Sequence, residues 1–131
     1  MLKYQIPNKI QVSNNKTSNK VYDLEERTFQ FAKNFALYCK KLPRTISNIE
    51  YGKQGIRASG STGANYIEAN EALSKKDFLM RIKICRKEAK ESAYWLRLIV
   101  ETNDLEYKDE GLLLFNEAIE LKKIFSSIIQ K

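Results

Sequence analysis

Apolar side chains recur along most of this chain at alternating steps of four and three residues, the spacing that places them on one face of an α-helix. Leu24, Thr28, Phe31, Phe35, Tyr38 and Leu42 form the first stripe. Asp23 precedes it and Glu26 follows three residues on, the spacing of a capping box, where a side-chain oxygen accepts from an orphan backbone N–H. Lys40 and Lys41 complement the negative end of the helix dipole. Pro43 stops the helix, because the residue before a proline avoids the α region. The stretch "SNIE" predicts a second start at Ser47, paired with Glu50. This helix is expected to end near Leu73, with an apolar and small face of Ile49, Ile56, Gly63 and Ile67. Ser74, with Asp77 three residues on, opens a third helix. Its seam of Phe78, Ile82, Cys85, Ala89, Ser92, Leu96 and Ile99 resembles that of a coiled coil. A polar connection, "ETNDLEYKDEG", leads to a fourth helix from about Leu112, with Leu114, Ala118, Leu121, Phe125 and Ile128 as its stripe.

Four amphipathic helices with short links predict an all-α fold over residues 23–131, an antiparallel up-and-down four-helix bundle. Residues 1–22 stand apart as a polar arm rich in Asn and Lys. Leu2, Tyr4 and Ile6 alternate there, as do Ile10 and Val12, which fits either an extended segment or a disordered one. The third helix carries a second stripe of Met80, Ile84, Trp95 and Leu98. One core does not need two apolar faces on one helix, so these residues mark either a subunit interface or a wide core face capped by Trp95.

Composition narrows the chemistry. The chain has 131 residues, 43% hydrophobic and 30% charged, as in a single globular domain. No apolar run approaches the roughly 20 residues that span a bilayer. The N-terminus lacks the apolar region of a secretory signal, so a cytoplasmic location is expected. There is no histidine. That excludes Ser-His and Cys-His nucleophile pairs, zinc sites containing histidine and the Glu-x-x-His motif of di-iron bundles. Cys39 and Cys85 sit inside apolar stripes and read as free buried thiols. Glu68 and Glu71 share a helix face but have no histidine partners. The expectation is a protein with no catalytic residues, no metal and no cofactor.

The run "GIRASGSTG" partly mimics a phosphate-binding loop. Ser61 stands where the phosphate-reaching lysine belongs, and no strand precedes the run. Gly60 and Gly63 also have the spacing of the backbone clamp in KH domains, a fold whose strands are missing here. A helical reading fits better: Ile56, Gly60, Gly63, Ala64 and Ile67 recur at threes and fours. Glycine inside a helix costs up to about 1 kcal/mol relative to alanine, a cost tolerated where backbones come close. Gly60, Gly63 and Ala64 are therefore expected to form a packing seam that leucine at either glycine would overfill.

The stretch "YGKQGIRASGSTGANYIEANEALSKKDFLMRIKICRKEAKESAYWLRLI" resembles the bacterial 23S rRNA intervening-sequence proteins, most strongly over residues 51–99 and more loosely over 23–131. Tyr51 with Gly52, Arg57, Ser61, Asn65, Glu68, Phe78 and Leu79 sit where the family motif has them. Gly63 replaces a usual proline, and Asn65-Tyr66-Ile67-Glu68-Ala69 replaces Asn-Ile-Ala-Glu-Gly, so the chain reads as a divergent branch. The resemblance implies a four-helix bundle assembled as a homopentameric ring, without enzymatic activity. The family is related to the accessory factor of diversity-generating retroelements, so the resemblance also implies nucleic acid and a reverse transcriptase or other protein as partners.

The net charge of +7 is unevenly placed. Residues 75–101 hold eight basic side chains (Lys75, Lys76, Arg81, Lys83, Arg86, Lys87, Lys90 and Arg97) against four acidic ones, an excess of +4. The arm holds four lysines and no acid, whereas residues 105–131 are close to neutral. Lys76, Lys83, Lys87 and Lys90 share one helical face. Such a stripe neutralises phosphates and gives salt-dependent, weakly sequence-selective binding to RNA or DNA. A solvated face with local pairs such as Lys87 and Glu91 is the plainer alternative. Tyr94 and Trp95 lie nearby but are expected to be buried, so base readout is not expected. Two functions follow as expectations: a non-catalytic, oligomeric nucleic-acid-binding bundle, or a scaffold that presents its surface to a protein partner.

Overall fold

A computed structural model describes residues 23–131. The proposed arm, residues 1–22, lies outside the described residues. The described residues form four α-helices: α1 (Leu24–Lys41), α2 (Ile46–Asn70), α3 (Lys75–Glu101) and α4 (Lys108–Gln130). One 3-10 turn, Leu105–Tyr107, leads into α4. Among the described residues there is no strand, and no helix is long and apolar enough to cross a membrane.

Cross-helix contacts fix the topology. Asn70 donates to Glu25, and Gly63 faces Thr28, so α1 and α2 run antiparallel. Arg57 meets Glu91 and Arg81 meets Asn65, which makes α3 antiparallel to α2. Arg27 chelates Glu117 at 2.7 and 2.9 Å while Lys41 reaches Glu110, so α4 returns along α1 and closes the bundle.

Local chemistry sets most boundaries as expected. Asp23 Oδ1 accepts from the Glu26 N–H, and Ser74 Oγ accepts from that of Asp77. The start of α2 differs. Thr45, not Ser47, is its N-cap, and Thr45 Oγ1 accepts from the Asn48 N–H at 3.1 Å. Only the residue before Pro43 is barred from the α region, so the helix starts two residues sooner. Its end, at Asn70, also comes before Leu73. The α4 helix begins four residues earlier than Leu112, continuing directly from the 3-10 turn.

The α1 stripe from Leu24 to Leu42 is buried in full. It packs with Ile82, Cys85, Leu96 and Ile99 of α3 and with Leu114, Leu121 and Phe125 of α4. Full burial of a large apolar side chain is worth about 1.5–3 kcal/mol. Desolvation pushes the Cys39 thiol up to about 11 and that of Cys85 up to about 12, so neither is a ready nucleophile near neutral pH.

The core face of α2 is not the isoleucine face. Ile49, Ile56 and Ile67 are exposed, whereas Asn48, Gly52, Gly55, Ala58, Ser59, Thr62 and Ala69 are buried. The hydroxyls of Ser59 and Thr62 donate to the carbonyls of Ile56 and Ala58, so they pack as small side chains at no unmet polar cost. Gly55 lies against the Phe35 ring, and a Cβ on Gly52 would stand 3.5 Å from Cys39 Sγ. The expected seam is corrected accordingly. Gly60 has no atom near its missing Cβ, and Ala64 is exposed. Gly63 alone of the three approaches a neighbour, with Thr28 Oγ1 2.9 Å from where its Cβ would be.

At one end of the bundle the amides of Asn48 and Asn103 donate to each other's oxygens at 2.8 and 2.7 Å. Their second N–H groups go to the Pro43 and Ile99 carbonyls, tying the two loops there together.

Two glycine substitutions should therefore act in opposite directions. Gly55→Ala drives a methyl into the Phe35 ring and should cost about 1–3 kcal/mol. Gly60→Ala, at an exposed helix position, should stabilise by about 0.5–1 kcal/mol. Urea unfolding followed by circular dichroism reads both; equal effects would contradict this packing.

Candidate nucleic-acid interface

The third helix presents its basic residues unequally. At about 100° per residue, Lys76, Lys83, Lys87 and Lys90 fall within about 60° of one another, opposite the buried seam. All four are exposed. Arg97 borders this strip and is also exposed; Arg86 borders it half-buried. Lys75 is exposed at the helix start. Arg81 does not join them. It turns to α2 and donates to Asn65 Oδ1 at 3.0 Å, while Asn65 in turn donates to Ser61.

Two acids of α3, Glu88 and Glu91, are turned away from the lysines, whereas the exposed Glu101 lies at the far end of the strip. Arg57 of α2 holds Glu91 Oε1 at 2.6 Å and stands 3.6 Å from Glu88 Oε1. Glu88 is only 6% exposed, and its Oε1 has no hydrogen-bond partner, so Arg57 supplies the counter-charge that a buried carboxylate needs. The helical pair expected of Lys87 and Glu91 does not form. Among the described residues, none of Lys75, Lys76, Lys83, Arg86, Lys87, Lys90 and Arg97 makes a salt bridge.

Tyr94 occupies the same strip and is 57% exposed, which corrects the expectation of a buried ring. Trp95 braces it edge-on, with centroids 5.1 Å apart and planes at 75°. The Trp95 ring is itself half-buried against Tyr51 of α2. Of the other second-stripe residues, Met80 is exposed, and Ile84 and Leu98 are half-buried. An open hollow of about 280 Å³ is lined by Tyr94, Arg97, Leu98 and Glu101. Among the described residues, no group of three or more Cys, Asp or Glu converges as a metal site would require.

Comparison with known proteins places this geometry in context. The sequence profile described as "23S rRNA-intervening sequence protein" matches residues 6–127. The match takes in most of the N-terminal arm as well as the bundle. A crystal structure of a protein with unknown function from the S23 ribosomal protein family of Bacteroides thetaiotaomicron is similar to this one. It is 30% identical, with a TM-score of 0.69, over 82% of this chain and 98% of that one. No curated protein matches the chain in sequence.

The Arg57 bridge is open to test. Arg57→Met leaves Glu88 buried without its cation and should cost about 1–3 kcal/mol, the half-exposed arginine keeping the figure below that of a fully buried pair. Glu88→Gln in the same chain should recover most of it. Additive losses in thermal unfolding would contradict the bridge.

Proposed function

The chain belongs to the 23S rRNA-intervening sequence protein family, and from that premise we propose a non-catalytic protein that binds RNA or DNA through the outer face of α3. The observation that carries this reading is the unpaired lysine strip. Lys76, Lys83, Lys87 and Lys90 are exposed and make no salt bridge among the described residues, and Arg57 holds Glu91, the acid one turn from Lys87. Binding arises from phosphate neutralisation and counterion release, so it depends steeply on salt and weakly on sequence.

We further propose that the protein acts as a homopentameric ring. A closed ring needs two different complementary patches on each subunit. Exposed apolar side chains support this: Ile49, Ile56 and Ile67, which share one face of α2, and Met80 with the half-buried Ile84 on α3. Trp95 is spent on its own chain's Tyr51, which leaves it a smaller part in assembly than Met80. Repeating the lysine strip around a ring would multiply its affinity for an extended polyanion.

The scaffold reading draws on the same apolar exposures, and the two separate on salt. In fluorescence anisotropy with a structured RNA, log affinity should fall linearly with log salt. The triple charge reversal Lys83→Glu, Lys87→Glu, Lys90→Glu should reduce the slope by about two to three. Absence of binding at low salt would overturn the nucleic-acid function and favour a protein partner. Light scattering should give a mass near five chains, and Ile56→Glu with Ile67→Glu should lower it while the helical content stays. A wild-type monomer would contradict the ring.

A further inference from the structure

We infer that Tyr94 and the hollow beside it take an unpaired nucleobase, which makes single strands the favoured ligand of the lysine strip. The inference rests on the proposed nucleic-acid function and specifies its substrate class.

Three observations converge. Tyr94 lies on the same angular strip as Lys83, Lys87 and Lys90, one helical turn beyond Lys90, so a strand following the lysines reaches its ring. The ring is 57% exposed yet held edge-on by Trp95, which is in turn packed on Tyr51. A braced ring loses little freedom when a base stacks on it, unlike a mobile surface tyrosine. Next to it, Arg97, Leu98 and Glu101 complete the hollow.

The lining discriminates between parts of a nucleic acid. Leu98 offers an apolar wall to a planar ring. Glu101 offsets the charge of Arg97 in the hollow, so a phosphate gains more on the lysines and the base is the part that enters. An ionised carboxylate is an acceptor only, and it suits a base with an exocyclic amino group, such as cytosine, over uracil. Bases inside a duplex are stacked on their neighbours and their faces are not available to Tyr94.

The test is anisotropy at low salt with three labelled RNA probes of equal length: a cytidine oligomer, a uridine oligomer and a mixed-sequence duplex. The wild type should bind the cytidine oligomer most tightly. Tyr94→Ala should weaken both single strands about ten- to a hundredfold and leave the duplex within about twofold, the range expected for one lost base stack. Tyr94→Phe should retain single-strand affinity, and Glu101→Gln should narrow the gap between cytidine and uridine. Because Tyr94 is exposed, the variant's melting curve should overlay that of the wild type. If wild type and Tyr94→Ala bind all three probes alike, stacking is overturned and the lysine-strip function stands. If the wild type binds none of them, the function itself is overturned and this inference with it. Equal binding of cytidine and uridine oligomers by the wild type would overturn the role given to Glu101.

Discussion

The close approach of α2 to its neighbours is the constraint on which the rest of the bundle depends. Its inward face is built from Gly52, Gly55, Ala58, Ser59 and Thr62, which together offer almost no side-chain volume. Large rings on α1 fill the space so created: Phe35 lies on Gly55, and the fully buried Tyr38 lies in the same stripe, its hydroxyl donating to the Tyr107 carbonyl at 2.8 Å. Close packing of this kind leaves no slack, because interiors are as dense as organic crystals and an added methyl is felt. The bundle thus spends its bulk on α1, α3 and α4 and its thinness on α2.

That thinness has an electrostatic consequence on the opposite side of α2. With the backbones near each other, Arg57 reaches across to Glu91 and Glu88, and Asn65 reaches Arg81. The first contact takes Glu91 away from Lys87, its i, i+4 neighbour on the helix, and the second turns Arg81 out of the basic strip. An i, i+4 pair is worth only a few tenths of a kcal/mol, so the Arg57 guanidinium, which also faces the buried Glu88, wins. Among the described residues, the strip of lysines left outside makes no salt bridge, and the braced ring of Tyr94 lies one turn beyond Lys90. The charge excess of the sequence becomes a directional surface because of how α2 packs.

Large side chains made α1 and α3 legible in the sequence. Their stripes at fours and threes, and the caps at Asp23 and Ser74, read directly onto buried faces. The second helix resisted because its buried positions are small or hydroxyl-bearing, and pattern reading follows bulk. Ser59 and Thr62 look polar in one dimension but return their protons to their own helix in three. The isoleucines that seemed to mark the core of α2 lie on its exposed side instead, and Gly60 faces open space. At the candidate site, the shared face of Lys76, Lys83, Lys87 and Lys90 followed from spacing alone. The exposure of Tyr94 was legible in the same spacing, four residues beyond Lys90, but the departure of Arg81 and the capture of Glu91 by Arg57 were not, since each depends on a partner helix. The contrast between a ring that is bare and its sequence neighbour Trp95, half-buried against Tyr51, is likewise a matter of rotation about the helix axis.

The central claim is that the lysine strip of α3, and not the net charge at large, meets the nucleic acid. Acetylation of lysine amines read by mass spectrometry, with and without a structured RNA, tests it most directly. The account predicts protection of Lys76, Lys83, Lys87 and Lys90, with Lys33, Lys53 and Lys123 on the other helices unchanged. Uniform protection of all lysines, or none on α3, would contradict it.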